Sequence, residues 1–134
     1  MISSSLFLLS PDGAGQFISA GHNPAYLFRS ATGKIETLVS DAFFLGMFDF
    51  ASYESRALRL DQGDILVVYS DGLTDAENQQ GEMFGRKRLL DIIRQEAPSG
   101  SRALEQRFLQ AIEEFTQGMP QTDDITFVVA EKYQ

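Results

Sequence analysis

Carboxylates at the ends of apolar segments are the side chains of this sequence best placed to do chemistry. Asp71 follows the unbroken apolar run 65–69 after one intervening residue, Ser70, and Asp123 and Asp124 directly precede a second apolar segment, 125–130. The first run predicts a strand buried on both faces, because it is rich in β-branched residues and does not alternate with polar ones. If the two segments are neighbouring antiparallel strands, Asp71 and Asp123 converge although they lie far apart in the sequence.

Two interpretations of these carboxylates stay open on spacing alone. Carboxylates held close together repel each other unless a cation neutralises them, so convergence would indicate a site for Mg²⁺ or Mn²⁺. Gly72 would let the backbone come close to a ligand at this point. In the alternative, Asp71 and Gly72 form an ordinary turn after a strand, and Asp123 and Asp124 cap another turn.

The composition narrows the chemistry that is open to the chain. Its 134 residues include no cysteine and one histidine, His22, which excludes thiolate sites and multi-histidine zinc sites. A formal net charge of −8 argues against a nucleic-acid partner. The longest basic cluster, residues 86–88, is interpreted as a solvated helix face. No apolar run is long enough for a membrane span or a signal peptide, so we expect a cytoplasmic protein whose segment makes no membrane contact.

The remaining pattern predicts a single α+β domain over residues 1–134 with a mainly antiparallel sheet. Strands are predicted at residues 6–9, 16–20, 25–29, 35–39, 53–60, 65–70 and 125–130. Two amphipathic helices are predicted, one after Phe84 and Gly85 and one from about Ser101 to Gly118. Strand 65–70 should be central, with both helices on one face of its sheet and Asp64 capping its start. Residues 41–50 read as an irregular buried loop or a short strand.

Four segments, in this order, resemble the motifs of the metal-dependent protein phosphatases of the stage II sporulation protein E group, the bacterial branch of the type 2C serine/threonine phosphatases. They are AGHNP (20–24), GDILVVYSDGLTD (63–75), FG (84–85) and TDDIT (122–126). The resemblance implies an α-β-β-α sandwich with two Mn²⁺ or Mg²⁺ ions between its sheets. It implies a phosphatase in which metal-activated water hydrolyses phosphoserine or phosphothreonine on a regulatory phosphoprotein, such as an anti-anti-sigma factor.

The resemblance also implies roles for individual residues. Asp71 and Asp123 would be metal ligands and, through the metal, the catalytic residues, while Gly72 belongs to the same metal-binding motif. Four further residues would support these ligands from nearby: His22, Asn23, Asp75 and Asp124. For His22 the alternative is a turn histidine that bonds to the backbone.

The chain departs from the family pattern in its length. The family domain is about twice as long, and its first half carries a Gly-Asp motif whose aspartate bridges both metals; Asp12 and Gly13, in a hairpin turn, do not match it. We therefore expect the C-terminal part of the catalytic domain, with a sensor or receiver domain upstream in the whole protein. We expect weak or absent metal binding in the isolated chain, which could leave it inactive, and self-association through unpaired sheet edges.

Two other classes compete with the enzyme interpretation. A non-catalytic interaction module could have kept the sheet and lost the chemistry, but such a module has no physical need to keep Asp71, Gly72, Asp123 and Asp124 together. A Ca²⁺-binding domain fits less well, because no loop carries the dense, alternating acidic ligands of such sites.

Overall fold

The protein is described from a computed structural model that covers residues 3–39, 44–46, 48–49, 52–121 and 123–133. These ranges contain β1 (Ser4–Leu9), β2 (Ala14–Ala20), β3 (Ala25–Phe28), β4 (Ile35–Leu38), β5 (Arg56–Arg59), β6 (Ile65–Tyr69), α1 (Asp71–Thr74), α2 (Gly85–Glu96), α3 (Ser101–Thr116) and β7 (Phe127–Glu131). A 3₁₀ turn, Ala97–Ser99, joins the two long helices. None of the described helices is both long and apolar enough to cross a membrane.

The predicted strands and both predicted helices are confirmed, with shifted ends. The strand expected at 53–60 is confined to β5, and the strand expected at 125–130 begins later, at Phe127. The short helix α1 was not predicted, because four residues are too few to show helical periodicity. Much of the predicted irregular segment 41–50 lies outside the described residues.

The strands form two antiparallel sheets, ordered β1-β2-β5 and β4-β3-β6-β7. Strand β6 is an inner strand of the second sheet, where Leu66 lies opposite Leu27 of β3 on one side and Ala130 of β7 on the other. The chain is therefore an α+β domain with antiparallel sheets, and the predicted central position of β6 beside the last strand is confirmed.

Burial on both faces explains why β6 has an unbroken apolar sequence. Ile65, Val67 and Tyr69 pack in the core that contains α2 and α3, whereas Leu66 packs in the core between the two sheets. Ile65 and Val67 are completely buried, and each such side chain contributes roughly 1.5–3 kcal/mol through burial. The layers follow the order helices, four-stranded sheet, three-stranded sheet, so both long helices lie on one face of the sheet, as predicted.

Asp64 fixes the start of β6. Its buried carboxylate accepts hydrogen bonds from the amides of Ser30 and Asp61, both at 2.9 Å, and from the guanidinium of Arg29 at 2.8 Å. Burial raises the pKa of Asp64, but these hydrogen bonds outweigh it and leave the pKa below its usual value. The predicted cap is confirmed, and the ion pair with Arg29 adds a link to the turn between β3 and β4.

Candidate functional site

An open cleft of about 520 Å³ lies where β6 ends and the segment leading into β7 begins. Both Asp71 and Asp123 line it, so the structure brings together the two carboxylates that the sequence pattern suggested would converge. Five other polar side chains line the same cleft: Ser3, His22, Asn23, Ser70 and Arg86. Antiparallel pairing places the end of β6 beside the start of β7, with Tyr69 opposite Phe127.

Asp71 is exposed and is the first residue of α1, and Ser70 alone separates it from the end of β6. The Asn23 Nδ2 atom donates a hydrogen bond to Asp71 Oδ1 at 2.5 Å. No other described residue donates to this carboxylate, so Oδ2 remains available to a ligand in the cleft. Asn23 thereby fixes the orientation of the Asp71 side chain, because one of its two oxygens is held.

Ser70 ties the segment containing Asp123 and Asp124 to the end of β6. Its hydroxyl donates to the carbonyl of Asp124 at 3.3 Å and accepts from the amide of Thr126 at 3.0 Å, while its own amide donates to the carbonyl of Thr126 at 2.8 Å. Asp123 Oδ1 in turn accepts a hydrogen bond from the amide of Asp124 at 2.8 Å. Sequence reasoning missed Ser70, whose partners lie more than fifty positions away.

Gly72 is buried against the main chain of Asp124. A β-carbon on residue 72 would lie 2.0 Å from the Asp124 carbonyl oxygen, a distance that no side chain can occupy. The close backbone approach expected at this glycine is therefore real, and the group that approaches is another segment of the chain. A metal-binding role for Gly72 stays a prediction.

His22 meets both interpretations offered for it, because it lines the cleft and bonds to the backbone. Its Nε2 atom lies 3.0 Å from the carbonyl oxygen of Tyr69, the last residue of β6. A carbonyl can only accept, so Nε2 carries the hydrogen. The preceding Gly21 has φ +64°, and a β-carbon there would also meet the ring of Phe44, so glycine is needed at this bend.

The basic cluster 86–88 divides into three different environments. Lys87 is solvated as expected, but Arg88 lies over the ring of Phe115, with its guanidinium carbon 4.5 Å from the ring centroid. Arg86 reaches the cleft, where its Nη2 atom donates to Asn23 Oδ1 at 3.4 Å. All three residues are exposed, which agrees with the expected solvated helix face, but Arg86 and Arg88 also contact residues distant in sequence.

Asp75 and Asp124 support the segments around the cleft through main-chain hydrogen bonds rather than through their side chains. Neither lines the cleft, and both are exposed. The amide of Asp75 closes α1 by donating to the carbonyl of Asp71 at 2.8 Å. The carbonyl of Asp124 receives the Ser70 hydroxyl.

The donor set of the cleft fits a hard divalent cation such as Mn²⁺ or Mg²⁺. Asp71 and Asp123 offer carboxylate oxygens, which these ions prefer, and no cysteine is present to favour softer metals. Within the described ranges, no group of three or more His, Cys, Asp or Glu side chains comes together in a way that could hold a metal. The described residues thus provide a pair of carboxylates, fewer ligands than an octahedral ion takes.

A second cavity, of about 340 Å³, lies at the other end of β6 and β7 and is lined by Leu60, Ala130, Lys132 and Tyr133 among others. Its one carboxylate, Glu131, accepts a hydrogen bond from the amide of Ser101 at 2.7 Å and so caps α3. Because the carboxylate of this cavity has a structural role, the cleft with Asp71 and Asp123 is the better candidate for the functional site.

Antiparallel sheets with helices on one side, and aspartates where an inner strand ends, define an α+β sandwich with a carboxylate-lined cleft. A profile of the stage II sporulation protein E (SpoIIE) family matches residues 2–133. The chain belongs to this family, which confirms the resemblance carried by its four motifs.

The chain matches only part of the length of three similar proteins. Protein IcfG of Synechocystis sp. is 31% identical over 117 residues, which are 87% of this chain and 18% of IcfG. The phosphoserine phosphatase RsbU of Bacillus subtilis is 24% identical over 113 residues, 84% of this chain and 33% of RsbU. The manganese-presoaked structure of the SpoIIE phosphatase domain from Bacillus subtilis shares the fold, with a TM-score of 0.72 at 16% identity over 98% of this chain and 56% of that one.

Proposed function

We propose that this chain forms part of a Mn²⁺- or Mg²⁺-dependent protein serine/threonine phosphatase. The observation that carries the proposal is the presence of Asp71 and Asp123 in one cleft, with Asn23 orienting Asp71. Membership of the SpoIIE family supports it, as does similarity to RsbU, a phosphoserine phosphatase. The substrate would be phosphoserine or phosphothreonine on a regulatory phosphoprotein of the anti-anti-sigma type.

Asp71 and Asp123 would hold the metal, and Asn23 and Ser70 would keep the two carboxylate-bearing segments in place. A bound divalent cation would lower the pKa of its water and polarise the phosphoryl oxygens. In the hydrolysis, the water oxygen bonds to phosphorus as the bond to the serine or threonine oxygen breaks, and the alcohol leaves with a proton. No covalent enzyme intermediate is needed, which suits a cleft without cysteine and with its histidine bonded to a backbone carbonyl.

Other ligands would come from residues outside 1–134, with this chain corresponding to the C-terminal part of the catalytic domain. The chain spans 56% of the matched SpoIIE domain and smaller shares of IcfG and RsbU, which leaves room for further ligands and for a sensor or receiver domain. We propose a cytoplasmic location for the phosphatase, together with its phosphoprotein substrate.

The proposal is tested by measuring phosphate release from a phosphoserine peptide by the natural protein that contains these residues. We expect release that requires Mn²⁺ or Mg²⁺ and stops with a chelator. Asp123→Asn should lower kcat by roughly a hundredfold or more, because the amide keeps the shape but loses the charge that holds the metal. Asp61→Asn, at an exposed carboxylate near the opposite end of β6, is the matched control and should leave kcat unchanged.

The competing function is a non-catalytic interaction module. It is favoured by Leu6 and Leu8, which are 53% and 61% exposed on β1 and form an apolar surface. A folded wild-type protein that binds its phosphoprotein but releases no phosphate with either metal would establish the module and contradict the phosphatase. Full activity in Asp123→Asn would also contradict the proposed site.

A further inference from the structure

Arg86 lines the cleft of Asp71 and Asp123 without forming an ion pair with either of them. Its guanidinium lies near the hydroxyl of the buried Tyr69, and its Nη2 atom donates to the neutral amide of Asn23, whose Oδ1 atom accepts at 3.4 Å. This distance is at the long end of the range for hydrogen bonds, so little free energy is lost when the bond is exchanged for another.

The amide of Asn23 keeps the guanidinium and the carboxylate apart. A guanidinium can only donate and a carboxylate can only accept, so Asn23 has one orientation that satisfies both, with Oδ1 towards Arg86 and Nδ2 towards Asp71. Arg86 therefore remains in the cleft as a cation whose charge is not neutralised by a direct carboxylate contact.

Contacts of Arg88 hold the first turn of α2, which carries Arg86, in place. The Arg88 guanidinium donates to the carbonyls of Met83 and Phe84, at 3.0 and 2.9 Å, and stacks on Phe115. The Phe84 side chain is buried. The backbone at the start of α2 is thus anchored, and the flexible part of Arg86 is its exposed side chain.

We propose that Arg86 binds the phosphoryl group of the substrate, exchanging its hydrogen bond to Asn23 for a bidentate pair with two phosphoryl oxygens. The inference rests on the proposed phosphatase function and names the residue that recognises the phosphate. A phosphate dianion entering this cleft is repelled by two carboxylates, and a planar guanidinium offers two parallel charge-assisted hydrogen bonds in compensation. The Asn23 contact holds the side chain in the cleft until the phosphate arrives.

Binding of inorganic phosphate tests the inference without requiring turnover. The natural protein that contains these residues is titrated with orthophosphate in saturating Mg²⁺, by calorimetry, as wild type, Arg86→Met, Arg86→Lys and Lys87→Met. We expect Arg86→Met to weaken phosphate binding roughly 10- to 100-fold, the usual effect of losing a charged hydrogen-bonding partner. The phosphate affinity of Arg86→Lys should lie between those of wild type and Arg86→Met, because lysine keeps the positive charge but cannot donate two parallel hydrogen bonds.

Lys87→Met is the matched control, one position further along α2. The Lys87 side chain is 93% exposed and its ammonium lies 4.0 Å from Asp91, away from the cleft residues. Phosphate affinity in this variant should stay within about twofold of wild type, because exposed ion pairs contribute little. An equal loss in both variants would overturn the inference in favour of a general charge effect.

The Mg²⁺ concentration for half-saturation separates phosphate binding from a positioning role. If Arg86 acts only by holding Asn23 against Asp71, Arg86→Met will weaken Mg²⁺ binding and leave phosphate affinity at saturating Mg²⁺ unchanged, which overturns the inference. Wild-type protein that binds no phosphate overturns it too. Arg86-dependent phosphate binding in a protein that hydrolyses no phosphoserine peptide would support the role of Arg86 and contradict the proposed function.

Discussion

The carbonyl oxygen of Asp124 lies where the β-carbon of any larger residue at position 72 would need to be. An ideal β-carbon on Gly72 would be 2.0 Å from this oxygen. The close approach joins the turn after β6 to the turn before β7, the two turns that carry Asp71 and Asp123. Glycine at this position is thus a steric requirement of the cleft.

Gly72→Ala should destabilise the protein by about 2 kcal/mol, because the new methyl group pushes the turn before β7 away from α1. Urea unfolding measures the loss. Gly33→Ala is the control: residue 33 has φ +72° and open space around it, so the cost there is the backbone strain of about 1 kcal/mol. A smaller loss for Gly72→Ala than for Gly33→Ala would show that the two turns do not pack as described.

Most of the fold could be predicted from the sequence because its signals are local. Turn residues separate the strand pairs, and the apolar run of β6 indicates burial on both faces, which its place between a helical layer and a second sheet requires. Because Asp71 follows this run, its position near the end of a strand could also be predicted. The pairing of β6 with β7 then places Asp123 nearby.

The supporting contacts could not be predicted, because each depends on two segments that meet only in the folded chain. Arg29 forms an ion pair with Asp64, which lies far from it in the sequence. The Ser70 hydroxyl donates a hydrogen bond to the carbonyl of Asp124 in the segment before β7. Arg86 sits in a basic cluster that looks solvated in sequence, and only the packing of α2 against the end of β6 brings it to Asn23.

Asp64→Asn should lower the free energy of unfolding by roughly 3 kcal/mol at pH 7, because it breaks a buried ion pair and leaves Arg29 facing an amide. The pKa of Asp64 is depressed in the folded state, so its contribution is complete above the ordinary value of 3.8 and is lost as the pH falls through the folded value. The difference between wild type and variant should therefore shrink as the pH falls below 3.8 and through the folded pKa of Asp64.

The control for this measurement is Asp61→Asn. The Asp61 side chain is 71% exposed, with Arg59 3.5 Å away, so its loss should cost less than about 0.5 kcal/mol at any pH. A wild-type advantage over Asp64→Asn that is constant from pH 7 to pH 2 would mean that packing, and not ionisation, explains the role of Asp64.

The isolated chain of residues 1–134 should self-associate through the outer face of β1, burying more than roughly 1,000 Å². Leu6 and Leu8 are exposed there on an edge strand, an arrangement that favours pairing with another chain. Sedimentation should show a dimer or larger species that becomes a monomer in the variant Leu6→Lys/Leu8→Lys. Leu109→Lys, at a residue 57% exposed on α3, should not dissociate it. A clean wild-type monomer at high concentration would contradict this.

The last prediction concerns the two carboxylates in the isolated chain. We expect the Asp71 and Asp123 carboxylates to lie within roughly 4–6 Å of each other, a separation at which like charges repel and one cation can bridge them. Asp71→Asn or Asp123→Asn should then leave the melting temperature unchanged or slightly higher, since each relieves repulsion that no tightly bound cation offsets. The measurement is thermal melting of wild type and Asp123→Asn, each with and without Mn²⁺. A large Mn²⁺-dependent rise in wild type that disappears in Asp123→Asn would mean that these two carboxylates, with the rest of the chain, already hold the metal well. The ligands assigned above to residues outside 1–134 would then be unnecessary for binding.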